Sequence, residues 1–497
     1  MRRTKKILAV ALLSFCTIQA YKVPARELIS ENTYSEQTQQ PFQIEGTVLV
    51  KYTGTDENVV VPNTVTEIKE EAFWDCDTIK RIEIPDTITK IGSEAFYSCS
   101  RLEEIVLPKQ LKVIEVGVFR FCSGLKKVII PNSVIEIKAG AFERCGIESI
   151  KIPNNVIKIG MGAFSGCVKL EKVALPNQLK KIENYTFENC GNLKEVVIPN
   201  SVTVIEQDSF RLCSSLEKLK IPKSVKRIDG TFSKVSPWLK EQVKKNSMLI
   251  INNNLVMVVK MDKNGKVKVP KSVKRISRNA FSECGGVKSV VIPSTVTAIA
   301  DGAFYSCNLL KEIKIPDSVT RMGNEVFGYC RNLEKVKLSR NLKTIPEYTF
   351  YDCRSLKQIT IPESVTKMET DPFSNCLKLK DIVVSSKLKD ASASYFNYPK
   401  GIIIHAPKGS YMEKIAKEET NAIFKPLAIN KKTAAIKGKK TVQLNVGTDT
   451  TFTTWKSSNP SIASVNSSGK VTGKKKGTAT ITGILYGKKY TCKVKVS

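Results

Sequence analysis

A cysteine recurs every 23 residues at Cys76, Cys99, Cys122 and Cys145, then after one step of 22 at Cys167, Cys190 and Cys213, and again from Cys284 through Cys307, Cys330 and Cys353 to Cys376. A phenylalanine stands three residues before each, from Phe73 to Phe373. Nine residues after most of these cysteines comes a proline, as in Ile84-Pro85, Ile130-Pro131 and Ile292-Pro293. A fixed period of this length leaves few folds open. One coil alone cannot offset its backbone ordering entropy, about 1–2 kcal/mol per residue. Stacked coils can, because each apolar column is covered above and below by its copies. Within a coil, Leu102, Ile105 and Leu107 are expected to point inward from a short strand that pairs with its equivalents. The following proline has no amide to donate and ends the pairing. Phe96 and Cys99 fall on the turn facing that sheet. The expected class is mainly β: a solenoid of 23-residue coils carrying a parallel β-sheet.

One coil, Ile91-Gly92-Ser93-Glu94-Ala95-Phe96-Tyr97-Ser98-Cys99-Ser100-Arg101-Leu102-Glu103-Glu104-Ile105-Val106-Leu107-Pro108, carries the unit whole. It resembles the I-G-x-x-A-F-x-x-C-x-x-L-x-x-I-x-I-P repeat of the BspA-like (Treponema-type) leucine-rich-repeat family, and the resemblance runs over roughly residues 42–427. It implies a leucine-rich-repeat solenoid, and a surface role, since BspA-like proteins include adhesins for host matrix proteins.

The array departs from its pattern near Phe232, where the cysteine is missing. Ser236 to Gln242 reads as a helix, and Asn252 to Val269 as a hairpin with Asn264-Gly265 at its tip. The stretch from Ile44 to Val61 has the same look. The expected organisation is a first repeat block with a hairpin cap at 42–232, a helix and hairpin insertion at 233–269, and a second block at 270–427. Ser410 to Lys417 reads as a helix capping the second block. Ser339 stands where a proline is expected and should loosen that strand end, while Phe396 keeps step and Pro407 closes the last unit.

From about Ile429 the repeat gives way to short alternating strands and turns. Trp455-Lys456-Ser457-Ser458-Asn459-Pro460, Gly469-Lys470-Val471-Thr472 and Gly477-Thr478-Ala479-Thr480 are similar to a bacterial immunoglobulin-like group 2 domain. Residues 428–497 are therefore expected to form a small immunoglobulin-like β-sandwich. They hold fourteen lysines against one acid, Asp449. At the other end, Arg2, Arg3, Lys5 and Lys6 precede the short apolar run from Ile7 to Phe15. This predicts a signal peptide over residues 1–25, cleaved after Ala20 or Ala25, and an exported protein. The run is too short for a membrane span, which needs roughly 20 apolar residues. No later stretch could serve as a transmembrane segment in the mature chain, and the C-terminus shows no wall-sorting tail.

Regular cysteines in an exported chain invite a disulfide reading. A fixed period, however, aims every thiol the same way within one column, so a buried ladder of free thiols beside phenylalanine is expected. Zinc is disfavoured, because structural sites need closely spaced pairs and no two cysteines here lie nearer than 22 residues. His405 falls in register on a strand's surface position and is expected to be exposed. No nucleophile, metal or nucleotide motif stands in a fitting context, so no catalytic residue and no cofactor are expected and the chain reads as non-enzymatic.

The formal charge is +32, mostly lysine spread through every coil without interleaved aromatics. That excludes a groove built for nucleic acid and suggests attraction to anionic envelope polymers. Solenoids bind along their extended sheet. Its outward rows include Arg81, Lys127, Lys218, Lys220, Lys314, Lys335 and Lys337, the candidate binding surface. The expected function is that of an exported cell-surface binding protein, an adhesin for a protein or glycan ligand on a host or bacterial surface. The alternative is a non-binding structural spacer or scaffold of the envelope.

Overall fold

Each coil is built from two short strands joined by tight turns. A three-residue strand such as Arg81–Glu83 or Lys127–Ile129 buries its central residue and exposes its flanks, the two-residue alternation of a pleated strand. A two-residue strand such as Lys90–Ile91 follows past the proline. In this computed structural model, residues 41–497 are described apart from 245–246, 283, 285, 397–400, 419–420 and 450; the leader assigned to 1–25 lies outside them. Strands of each kind pair in parallel at the repeat interval. Arg81 lies opposite Glu104 and Glu104 opposite Lys127 in the main sheet, and Glu67 opposite Lys90 in the second ladder. The expected inward residues Leu102, Ile105 and Leu107 are all buried.

Between the two ladders run the columns that the period predicts. From Phe73 to Phe210 the rings stack with centres 4.9–5.7 Å apart and interplanar angles of 14° or less. Tyr52 starts this column 5.3 Å from Phe73, and Trp238 ends it 4.9 Å from Phe232. Beside the rings, buried thiols of the array donate to a carbonyl one coil back, a phenylalanine's except where Cys284, first of the second block, donates to Val258: Cys99 to Phe73 at 3.1 Å, Cys145 to Phe119 at 2.9 Å, Cys376 to Phe350 at 3.0 Å. The thiols are free. Burial pushes Cys167 and Cys213 up to about 12, which keeps them protonated and unreactive at neutral pH. A period of 23 thus supplies both an apolar column and a donor for a carbonyl that faces it.

One of the two caps differs in place from the sequence expectation. Both are hairpins, Phe42–Glu45 with Val48–Tyr52 and Met248–Ile251 with Asn254–Val258, the second lying upstream of the predicted tip. Asn252 and Asn253 both have positive φ, 48° and 66°, the pair of left-handed residues that a tight two-residue hairpin turn requires. Asn264-Gly265 instead forms the turn before Lys266–Lys268, already a main-sheet strand paired with Ser289–Val291. In each cap the second strand starts the minor ladder, Leu49 opposite Ile68 and Leu255 opposite Ile276. The strand Asn254–Val258 is buried along its whole length. It sends Val256 and Met257 into the first core and Leu255 and Val258 into the second. Helix Pro237–Gln242 precedes it, capped by Ser236 Oγ, which accepts from the Leu239 amide at 3.3 Å.

Two further details depart from expectation. Ser339 does not loosen its strand end: it is fully buried and its hydroxyl donates to the Val319 carbonyl at 2.6 Å. Helix Tyr411–Lys417 caps the last coil, but the main sheet continues past it with Ile423–Pro426, parallel to Ile403–Ala406. Phe396 ends the short helix Ala393–Phe396.

The C-terminal module places Thr433–Ile436, Lys488–Val496, Gly477–Leu485 and Thr454–Ser457 in one sheet and Thr441–Gln443, Lys470–Gly473 and Ala463–Val465 in the other. Ile436, Leu444, Val471, Ile481 and Val494 fill the space between them. This is the expected small β-sandwich.

Candidate functional site

The main sheet presents two outward rows, the first and third residues of its strands. The first row is charged and partly self-neutralised. Lys127 pairs with Glu104 one coil back, whereas Arg81 and Lys218 are exposed and, among the described residues, form no ion pair. The third row is mixed, carrying both aliphatic and cationic side chains. Val60, Val106, Ile129, Val197 and Val291 stand on it with 44–63% of their surface exposed, and Lys220 and Lys314 are interspersed among them. The face therefore combines aliphatic side chains with unpaired cations.

Farther along, the same row disappears under the C-terminal module. Thr360, Val383 and His405 are all buried. Val383 packs with Val446 and Leu485 of the module. The Tyr486 hydroxyl donates to the Ile361 carbonyl at 2.6 Å, and Gln358 Nε2 donates to the Thr448 carbonyl at 3.1 Å. His405, expected to be exposed, is only 8% exposed, and its Nε2 lies 2.7 Å from Asp381 Oδ1. The register reading of an outward strand position was sound; what covers it is a long-range contact. Gly447 sits over this histidine with φ +57°, where a Cβ would come within 3.4 Å of His405. The left-handed backbone at this position is one that glycine adopts without strain.

The docked module turns the neighbouring sheet face into a cleft of about 760 Å³. Its floor is four strands, Ser289–Val291, Glu312–Lys314, Lys335–Lys337 and Gln358–Thr360, and Thr451 of the module walls one end. Lys314, Lys335 and Lys337 are thus brought together, while Arg81, Lys127, Lys218 and Lys220 remain on the open face of the first block. The loop beside Thr451 is organised by Asp449, the module's one acid. Its carboxylate accepts from the amides of Thr451 at 3.0 Å, Phe452 at 3.1 Å and Thr453 at 2.6 Å. This holds the Phe452 ring 5.8 Å from Lys337 Nζ and 5.9 Å from Arg340 Cζ, a pair of cation–π contacts. Burial, reinforced by Arg340 and Lys314, pushes the Lys337 ammonium below its usual range. Arg340 and Phe452 escaped the sequence reading. Asp449, the one acid among the fourteen lysines of residues 428–497, was the available signal.

The family profile for the BspA type leucine rich repeat region matches in six copies over residues 51–156, 136–257 and 266–403. The chain belongs to the BspA-type leucine-rich-repeat family. Residues 423–494 match the bacterial Ig-like domain of group 2. No curated protein matches the chain. Among solved structures it is similar to a leucine rich cell surface protein from Faecalibacterium prausnitzii, at 27% identity and TM-score 0.41 over 74% of this chain and 92% of that one. A leucine-rich repeat protein from Bacteroides ovatus is similar at 26% identity and TM-score 0.41, over 80% and 99%. The pneumococcal vaccine antigen PcpA is similar at 18% identity and TM-score 0.35, over 77% and 95%. No helix among the described residues is long and apolar enough to cross a membrane.

Proposed function

We propose that this BspA-type chain is an exported, non-enzymatic recognition protein that grips a partner at a cell surface through the outward rows of its main sheet. The observation that carries the reading is the composition of those rows. Exposed Val106, Ile129 and Val197 share one rigid face with Arg81, Lys218 and Lys220, cations that no carboxylate neutralises among the described residues. Aliphatic surface left open beside unpaired charge is what a protein partner can cover and complement. A spacer gains nothing from it. The leader over residues 1–25 supports export, and the family match supports a surface role. The basic module adds attraction to anionic envelope polymers.

The test uses the mature chain on an array of purified matrix proteins and glycans, with capture measured for wild type and for a variant carrying Arg81→Glu, Lys218→Glu and Lys220→Glu. Capture of a protein ligand is expected, falling at least tenfold in the variant. Lys112→Glu, an exposed position beside the second ladder, should leave it unchanged. Capture indifferent to the face variant, or none at all, would leave the spacer reading standing instead.

A further inference from the structure

We infer that the cleft between the second block and the docked module receives an acidic segment of a partner protein, with its carboxylates at Lys314, Lys337 and Arg340 and its aliphatic side chains at Val291. The inference rests on the recognition role proposed above and specifies one site and one chemistry for it.

Three observations carry it. The first is the charge arrangement. Elsewhere in the array a cation pairs repeatedly with a carboxylate one coil away, as Lys80 does with Glu57, Lys138 with Glu115 and Lys194 with Glu171. Among the described residues, the side chains of Lys314, Lys337 and Arg340 form no such pair. Asp317, the carboxylate beside them, is taken up by the backbone amide of Arg340 at 2.9 Å. Lys337 is half-buried against Phe452, with Arg340 and Lys314 for cationic neighbours, and the other nearby carboxylate, Asp449, is taken up by the amides of Thr451, Phe452 and Thr453. Holding three like charges together in a partly dry site is unfavourable, and an incoming carboxylate offsets it.

The second observation is polarity. Glu312 and Glu334 line the other end of the same strands, without an ion pair among the described residues. Lys335 and Lys357 stand beside them, so that end is of mixed charge, and a uniformly charged polyanion would meet two carboxylates there as well as cations. A peptide that turns a carboxylate toward Lys337 and a neutral residue toward Glu312 keeps its charge away from them. The third is size and surface. Four strands about 4.8 Å apart span roughly 14 Å, the reach of about four extended residues. The exposed Val291 offers an aliphatic contact at one end of that path. Among the described lining residues none is aromatic, so no ring face is offered for a sugar to stack on.

The experiment titrates the full mature chain with a fluorescein-labelled octapeptide alternating Glu and Val, read by polarisation. Comparison probes are a version with Lys for Glu, an all-Glu octapeptide and a heparin fragment. Binding of the Glu-Val peptide is expected, weakening at least tenfold with Lys314→Gln plus Lys337→Met. Methionine keeps an unbranched stem against Phe452, so the loop should stay in place. Lys112→Glu, away from the main sheet, should change nothing. The inference is overturned if the peptide fails to bind, if the cleft variant binds it as well as wild type does, or if heparin or the all-Glu peptide binds more tightly through the same two lysines. A chain that still captures an array ligand while ignoring the peptide sinks the cleft alone; loss of both sinks the recognition role as well.

Discussion

Replacing Phe164 by alanine should destabilise the first repeat block by about 3–5 kcal/mol, the range for truncating a buried aromatic side chain. Phe164 is fully buried, with Phe142 at 5.3 Å and Phe187 at 5.6 Å on either side. The packing admits no easy collapse, because both neighbours are held by their own coils. In a solenoid each repeat is stabilised through contact with the next, so the hole also uncouples the coils before it from those after it. Urea unfolding should lose its single steep step for this block and develop two. The second block has its own core and should melt where it does in wild type. Val197→Ala, at a half-exposed position on the sheet, is the control and should stay within about 0.5 kcal/mol of wild type. A shift below about 1 kcal/mol for Phe164→Ala would show that the ring column is not what holds the coils together.

The second large effect is expected at the junction. Tyr486→Ala removes both the hydrogen bond to Ile361 and the ring that packs with Val383, Val446 and Leu485. Truncating a central aromatic at an interface typically weakens it by 2 kcal/mol or more, some thirtyfold in the docking equilibrium. The module's own core lies between its two sheets and does not depend on this contact. It should therefore swing free while remaining folded. The chain has one histidine, and it lies under the module. Carbethoxylation of His405 in tag-free protein should be slow in wild type and at least tenfold faster in Tyr486→Ala. Tyr486→Phe, which loses only the hydroxyl, should fall between them. Equal rates in all three would mean that the module does not cover the sheet.

The repeat made most of the solenoid legible. A 23-residue step with phenylalanine three before cysteine fixes which residues share a column, and alternation within each strand fixes which face outward. The second hairpin was misplaced because Asn264-Gly265 is the stronger turn signal by composition, whereas Asn252-Asn253 adopts the required pair of left-handed conformations and lies between the longer apolar runs. The docked module was not legible at all. Local periodicity reports how a residue faces its own coil and says nothing of what arrives from a distant segment. One trace of it was nevertheless present. The third row changes from Lys314 and Lys337 to Thr360 and Val383, losing charge where the module lands. The exposed valines of the first block were visible one by one. The same repeat sets them in one row.

Everything proposed for the face depends on coils whose thiols and rings lie in closed columns, and a thiol titration on the mature chain measures this directly. Thirteen cysteines are free among the described residues, and all but Cys76 are buried. In denaturant under non-reducing conditions all thirteen should react with a thiol reagent. In native protein at neutral pH no more than one should react within minutes, since burial keeps the others protonated and out of reach. A denatured chain with only a few reactive thiols, or a native one that titrates most of them at once, would contradict the stacked array and the binding face built on it.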